Sequence, residues 1–240
     1  MKQPLLYRDF ARYYDLIYAW KDFGKEAGRL KEFIARHKKS DGNILLDAAC
    51  GTGRHLKHLK NEFKCTGVDI NRQILGVARR NASGIRFLVA DIINLDLGKS
   101  FDIILCLFSS IGYVRTYRNL KRTVRGFSRH LKPGGVVLIE PWFVRSAFRP
   151  GAIFMQTYDG RKIKISRLTI SKARGNISII DMHYLVAEQS RGVRHFAERH
   201  EMGLFETEKT LEYMKAAGLK ARFLKNGLMK DRGLFVGVKL

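Results

Sequence analysis

Apolar positions along this chain change period in a regular way. Residues 25–38 carry Leu30, Phe33 and Ile34 at helical spacing, and Asp41-Gly42 ends the run. Ile44-Leu45-Leu46 is a short continuous apolar run closing at Asp47, the mark of a strand buried on both faces. Leu56, Leu59 and Phe63 return to helical spacing over 54–62. Cys65 to Val68 reads as the next strand, closing at Asp69, and 71–81 as a helix with Ile74, Leu75 and Ala78 on one side. Ile85 to Val89 is a third strand, closing at Asp91, and Phe101 to Phe108 a fourth, followed by Ser109-Ser110 and a helix over 118–131. Lys132-Pro133-Gly134-Gly135 reads as a turn before a fifth strand, Val136 to Glu140.

Strand and helix in alternation predict an α/β fold with a doubly wound, Rossmann-like parallel sheet. The acids Asp47, Asp69 and Asp91 then converge where the strands end, which is where such sheets hold ligands. After Pro141 the pattern changes. Residues 161–171, 177–187 and 194–205 read as strands with turns between them and no helices, an antiparallel insertion. A helix over 207–217, stopped by Gly218, and strands near 220–225 and 233–239 close the chain. One domain is expected over 1–240: helices in 1–38, a core in 40–141, the insertion in 150–205, and the last helix and strands in 206–240.

Composition narrows the class. Of 240 residues, 45% are apolar, enough for one sizeable core. No apolar stretch approaches the ~20 residues that span a bilayer. The opening MKQPLLYRDF has no apolar signal region. Cys50, Cys65 and Cys106 have no paired spacing, which argues against a disulfide framework or a cysteine zinc site and fits a reducing, cytoplasmic setting. No metal-ligand spacing is present: His55 and His58 are three apart on a helix, lack a partner acid and read as surface residues.

Lys plus Arg total 45 against 22 acids, a formal net charge of +23. The densest basic segment is 115–132, where Arg115, Arg118, Lys121, Arg122, Arg125, Arg129 and Lys132 share one helical face opposite Leu120, Val124, Phe127 and Leu131. Such a face is either a solvated surface or a binding face for an anion or RNA.

The informative run is Leu45-Leu46-Asp47-Ala48-Ala49-Cys50-Gly51-Thr52-Gly53. A strand delivers an acid, a glycine turn follows, and a helix starts. A phosphate-binding P-loop needs GKS or GKT, which is absent. A dinucleotide turn needs a third glycine, and Leu56 stands there. S-adenosylmethionine (SAM) remains: it carries no phosphate, its α-ammonium can pair with Asp47, and Gly51 and Gly53 let the backbone come close. Asp69 can accept both ribose hydroxyls, Asp91 the adenine amine, with Ile70 and Ile92 as apolar walls.

DAACGTG, GVDI, ADI and LKPGG resemble the class I SAM-dependent methyltransferases. FARYYDLIY, LCLFSSIGYV, SRHLKPGGVVLIEPWF, LTISKAR, MHYLVAE, HEMGLFE and RGLFVGV narrow the resemblance to the bacterial nucleotide-sugar N,N-dimethyltransferases of desosamine and mycaminose biosynthesis, over nearly the whole chain. The resemblance implies a seven-stranded sheet, lid helices at the N-terminus, and a homodimer built through the insertion. It implies methyl transfer to an amine of a small anionic acceptor, a nucleotide-linked amino sugar. Tyr18, Ala49 and Leu107 join the expected cofactor contacts. Tyr14, Ser110 and Tyr113 are the expected catalytic residues, with Trp142 beside them in the acceptor pocket. Where this chain has Tyr113, the sugar enzymes carry a histidine.

Three further residues are acceptor candidates. Ile163 and Ile165 share a strand face, and alternation puts Arg167 there too: either a bulge resets the phase or an arginine points inward to meet an anion. His183, central in an apolar strand, is either a core histidine or a substrate contact. Arg232 is a second phosphate candidate. The alternative to the amino-sugar reading is an RNA- or protein-directed methyltransferase, suggested by the charge, although no N/D-P-P-Y/F motif is present. A SAM-binding scaffold without turnover is the third reading.

Overall fold

The computed structural model describes residues 11–229 and 231–240, so the expected lid segment is seen from residue 11 onward and Phe10 of its motif lies outside the described residues. In chain order the elements are α1 (Ala11–Ile17), α2 (Phe23–His37), β1 (Ile44–Ala48), α3 (Arg54–Leu59), β2 (Lys64–Asp69), α4 (Arg72–Asn81), β3 (Arg86–Val89), β4 (Phe101–Cys106), α5 (Tyr117–Arg129) and β5 (Leu131–Ile139). Then follow β6 (Ile153–Asp159), β7 (Ile163–Arg174), β8 (Ile177–Glu188), β9 (Gly192–Gly203), α6 (Thr207–Ala216), β10 (Leu219–Leu224) and β11 (Leu234–Lys239). Among the described residues no helix is long and apolar enough to cross a membrane.

Seven strands form one sheet in the order β10-β11-β5-β4-β1-β2-β3. β1 to β5 run parallel, and β11 lies antiparallel between β5 and β10. Successive residues of the apolar runs serve opposite faces. Leu45, Ile103 and Leu105 pack with Ala27, Leu30, Leu56 and Leu75 of α2, α3 and α4. Leu46, Ile104 and Val137 pack with Leu120, Val124, Phe127 and Met214 of α5 and α6. Helix starts are set by side chains that accept the free amides of the first turn: Asp22 from Lys25, Asn71 from Ile74 and Thr116 from Asn119. The chain leaves β1 toward β2 and β3 on one side and later fills β4 and β5 on the other. β1 and β4 therefore flank the switch point at which a ligand crevice opens.

Two expectations change here. Lys132 to Gly135 do not form a free turn but lie inside β5, where the ladder steps from Phe101↔Leu131 to Ile103↔Val136. The extra residues bulge out, with Gly134 at φ +74 and its carbonyl accepting from the amides of Lys39 and Ser40. The basic stripe is also shorter than expected. Arg115 sits before α5 at φ +61, and Lys132 lies in β5 with its ammonium 2.9 Å from buried Asp102. Arg118, Arg122, Arg125 and Arg129 remain as the exposed basic face of α5.

The insertion has four strands, ordered β6-β7-β8-β9, where three were expected. β6 escaped notice because Ile153-Phe154-Met155 does not alternate; it is an edge strand with all three side chains exposed. The registers β6–β7 and β7–β8 run without a step, so there is no bulge and Arg167 keeps the inward phase. The inner face of this small sheet packs on α1: Ile165, Tyr184, Val186 and Phe196 meet Tyr13, Tyr14 and Ile17. The Tyr13 hydroxyl donates to Glu188 at 2.9 Å across that contact.

Candidate active site

A cavity of about 450 Å³ opens at the carboxyl ends of β1 and β4. β1 delivers Asp47 to its floor, and the turn that follows carries three left-handed residues: Ala49 (φ +66), Gly51 (φ +55) and Gly53 (φ +72). The two glycines serve different ends. A Cβ on Gly51 would meet open space, so a ligand can approach its backbone; one on Gly53 would press on Phe87 at 3.2 Å and Ala78 at 3.3 Å, so that glycine seats α3 against α4 and β3.

The three acids sit in unlike surroundings. Asp47 is 2% exposed, and burial, with the charge of Asp69 adding, pushes its carboxyl up to about 7. A buried carboxylate of that kind is stabilised by a cation brought to it. Asp69 accepts from the Gly51 amide at 3.0 Å and the Asn71 amide at 2.9 Å. Burial raises its carboxyl, and those donors oppose the rise. The Ile70 amide adds to them, and Asp69 lines the cavity. Asp91 accepts from the Ile93 amide at 2.9 Å and caps the short turn Ile92–Asn94. Ile70 is 56% exposed at the cavity wall, an apolar surface suited to a flat ring.

Asp47, Ala49, Gly51, Asp69, Ile70, Asp91, Ile92 and Leu107 all line the cavity, and so do Tyr14, Ser110 and Tyr113. Ser110 donates to the Ala49 carbonyl at 3.4 Å. Gly53 and Tyr18 stand one layer back. Tyr18 packs between Tyr14 (ring centroids 4.7 Å) and Phe108 (5.0 Å), and its hydroxyl accepts from Arg167 at 3.1 Å. Arg167 does not line the cavity and acts on it through Tyr18 and Tyr184.

Trp142 and Arg232 form a separate group outside the cavity. The Arg232 guanidinium lies 4.7 Å over the Trp142 ring, donates to Ser109, and lines an open groove with Arg29 and Lys225. Beneath them Glu140, fully buried, accepts from the Phe108 amide at 2.7 Å; burial raises its carboxyl although Arg232 and Lys21 oppose this. Phe108 and Ser109 are held at φ +48 and +69, the strained turn by which the chain leaves β4.

Two histidines are not where the sequence suggested. His183 is neither in the core nor at the cavity. The strand period turns Tyr184 inward and His183 outward, where it stacks on His195 with ring centroids 5.4 Å apart. His55 is not a surface residue and does not lack an acid: it is buried at the cavity wall with Nε2 2.8 Å from Glu26, which also pairs with Lys21. That acid comes from α2, 29 residues earlier, so local spacing could not reveal it.

His200 was missed altogether. β9 carries it into the cavity wall, where its Nδ1 lies 2.6 Å from the Tyr113 hydroxyl and its Nε2 2.8 Å from Glu198. The Tyr184 hydroxyl donates to the same Glu198 oxygen at 2.9 Å. Arg115, 3.5 Å from Glu201, marks the rim beside it. The signal was the alternation of Arg194, Phe196, Glu198 and His200 on one face, which becomes informative only once the inner face is known.

Known proteins resemble this chain in sequence and fold. A family model described as a methyltransferase domain matches residues 45–135. The dTDP-3-amino-3,4,6-trideoxy-alpha-D-glucopyranose N,N-dimethyltransferase of Streptomyces venezuelae is 36% identical over 235 residues, covering 96% of this chain and 98% of that protein. The crystal structure of Streptomyces venezuelae DesVI superposes with a TM-score of 0.91 at 34% identity, over 96% of this chain and 98% of that one. SAM-bound CalS10, an amino pentose methyltransferase from Micromonospora echinaspora involved in calicheamicin biosynthesis, superposes at 0.85 with 27% identity over 100% of both chains.

Proposed function

We propose that this chain, which belongs to the family of SAM-dependent N,N-dimethyltransferases of nucleotide-linked amino sugars, transfers methyl groups from SAM to the amine of such a sugar. One observation carries the reading. Tyr14, Ser110 and Tyr113 line the same cavity as Asp47 and Asp69, so an acceptor amine and a cofactor share one enclosure. The likeness spans 96% of the chain and so includes the small sheet that covers this cavity, which favours the amino-sugar reading over an RNA- or protein-directed one.

The residues present suit SAM. Asp47 would offer its buried carboxylate to the α-ammonium, Asp69 would accept from the ribose hydroxyls, and Asp91, with Ile70 and Ile92, would hold the adenine. Gly51 gives room for close approach, and Leu107 and Ala49 close the floor. When bound, SAM supplies an activated methyl group on a sulfonium. The protein's contribution is position and dehydration. Tyr14, 8% exposed under the small sheet, shuts water out, and Ser110 and Tyr113 orient the amine by hydrogen bonds.

The anionic part of the acceptor is assigned to the groove lined by Arg232, Arg29 and Lys225. Arg167 acts by holding Tyr18, and His183 has no part in the site. We assign a second copy of the chain to the outer face of the small sheet, where Met155, Leu168 and Leu185 are exposed. The test is direct. Purified protein with SAM and a dTDP-linked amino sugar should give the mono- and then the dimethylated amine by mass spectrometry. Stoichiometric SAM binding with no methylation of any nucleotide-linked amine would overturn the assignment.

A further inference from the structure

Every methyl acceptor of this class meets one obstacle: an alkyl ammonium has no lone pair. An amine whose pKa lies above about 7 is mostly protonated at neutral pH. Resting on the amino-sugar reading, we propose that His200 and Glu198 form a proton relay behind Tyr113 that takes the acceptor's ammonium proton before each methyl transfer.

The hydrogen bonds run in one line. Tyr113 lines the cavity, and its hydroxyl lies 2.6 Å from His200 Nδ1. His200 Nε2 lies 2.8 Å from Glu198 Oε1, which also accepts from Tyr184 at 2.9 Å. An acid on one ring nitrogen fixes the proton there and leaves Nδ1 as the acceptor. This is the arrangement of a base held by an orienting group, with Tyr113 as the member facing substrate. His200 is 3% exposed, and its partner Glu198 is equally covered, so water does not take the place of either group.

Protons and bonds balance in the step. An N–H bond of the ammonium breaks as the Tyr113 oxygen takes that proton. The original Tyr113 hydroxyl proton passes to His200 Nδ1, and the nitrogen regains its lone pair. His200 is then an imidazolium that donates from Nε2 to ionised Glu198. The proton returns through Tyr113 to water when product leaves.

The surroundings favour this polarity. Tyr113 faces His200 from the turn before α5, and Glu198 from its own strand β9. Tyr184 of β8 faces Glu198; burial beside Glu198 pushes its phenol far up, so it stays a donor. Tyr18 and Arg167 of β7 act on Tyr184 in turn, and Glu201 with Arg115 lies at the rim. The relay residues are positioning groups; Tyr113 is the one that touches substrate.

The experiment is a pH profile of kcat/KM on the amino sugar for wild type, His200→Gln and Glu198→Gln, with SAM affinity measured in parallel. His200→Gln should bind SAM as wild type does and lose about 100-fold in kcat/KM near neutral pH. That loss should shrink as pH rises toward the amine's own pKa, where solvent supplies the free base. Glu198→Gln should lose less and show the same closing with pH. A deficit constant across pH, or none, overturns the relay while leaving the amino-sugar reading intact. If His200→Gln fails to bind SAM, the profile of Glu198→Gln decides alone. Wild type that methylates no amine at any pH overturns the reading beneath it.

Discussion

Thr52 donates to Asp15 at 2.7 Å, and this bond ties α1 to the glycine turn of the cofactor site. Asn81 of α4 donates to the other Asp15 oxygen at 2.7 Å and to the Thr52 carbonyl at 3.0 Å. One carboxylate thus latches the helix that carries Tyr14 over the cavity. Asp15→Ala leaves two donors without their acceptor, a cost of about 1–3 kcal/mol. SAM should leave such a variant about tenfold faster or more in stopped-flow chase experiments. An unchanged off-rate would mean that α1 does not gate the site.

Asp47 gives the site a pH dependence whose sign follows from its burial. Its carboxyl titrates at about 7 in the fold against 3.8 in model compounds. As pH rises from about 4 to 7, the unfolded chain loses this proton while the fold keeps it, so the free protein loses stability over that window and levels off above it. A bound α-ammonium favours the ionised form. Affinity for SAM should therefore rise with pH through about 7, and binding near pH 6 should release a proton. Calorimetry in buffers of different ionisation enthalpy reads that proton directly. Asp47→Asn should abolish its release; a variant that still releases it would move the titration to another group.

Asp69 has two duties, because its oxygens hold the amides of Gly51 and Asn71 as well as facing the cavity. Asp69→Ala should weaken SAM binding by about 1–3 kcal/mol. Asp69→Asn keeps one acceptor oxygen and should lose less. Equal affinity of Asp69→Ala and wild type would remove Asp69 from the cofactor site.

Much of the core and of the cavity lining was legible because it is local. A strand that ends on an acid and turns through glycines writes its geometry in consecutive residues, and Asp47, Gly51, Asp69 and Asp91 follow from it. What was not legible depends on pairing across distance. Nothing near His55 announces Glu26, and nothing near Tyr113 announces His200, 87 positions on. His183 and His200 look alike in sequence; only the register of β8 and β9 and the side on which α1 packs decide which one faces the cavity.

The basic face of α5 separates a solvated surface from a nucleic-acid site. Arg118, Arg122, Arg125 and Arg129 are exposed, while Leu120, Val124 and Phe127 bury the opposite side against the sheet. None of the four lines the cavity. Changing all four to Gln should leave turnover of a nucleotide-linked amine within about twofold, since charges beyond a Debye length, ~8 Å at physiological salt, are largely screened. A large, salt-sensitive loss on the small acceptor would place substrate near α5. A loss seen only with RNA would favour the RNA-directed reading.

The outward face of the small sheet carries exposed apolar side chains on all four strands. Ile153 pairs with Ile170 and Met155 with Leu168 across β6 and β7, and Leu185 on β8 and Val193 on β9 are exposed on the same face. Ile153, Met155 and Val193 are each at least 70% exposed, and exposed apolar side chains of this kind suit a partner surface. A second copy placed there would cover like with like and would shield the open edge of β6. Its opponent is charge: two chains of formal +23 repel each other, so association should strengthen as salt rises. Light scattering should give twice the chain mass at moderate salt and a shift toward monomer at low salt. Met155→Glu with Leu185→Lys should be monomeric yet keep its SAM affinity, because both side chains point away from α1 and the cavity. A monomeric wild type at moderate salt, or a double variant as dimeric as wild type, would assign this face to something other than a second copy.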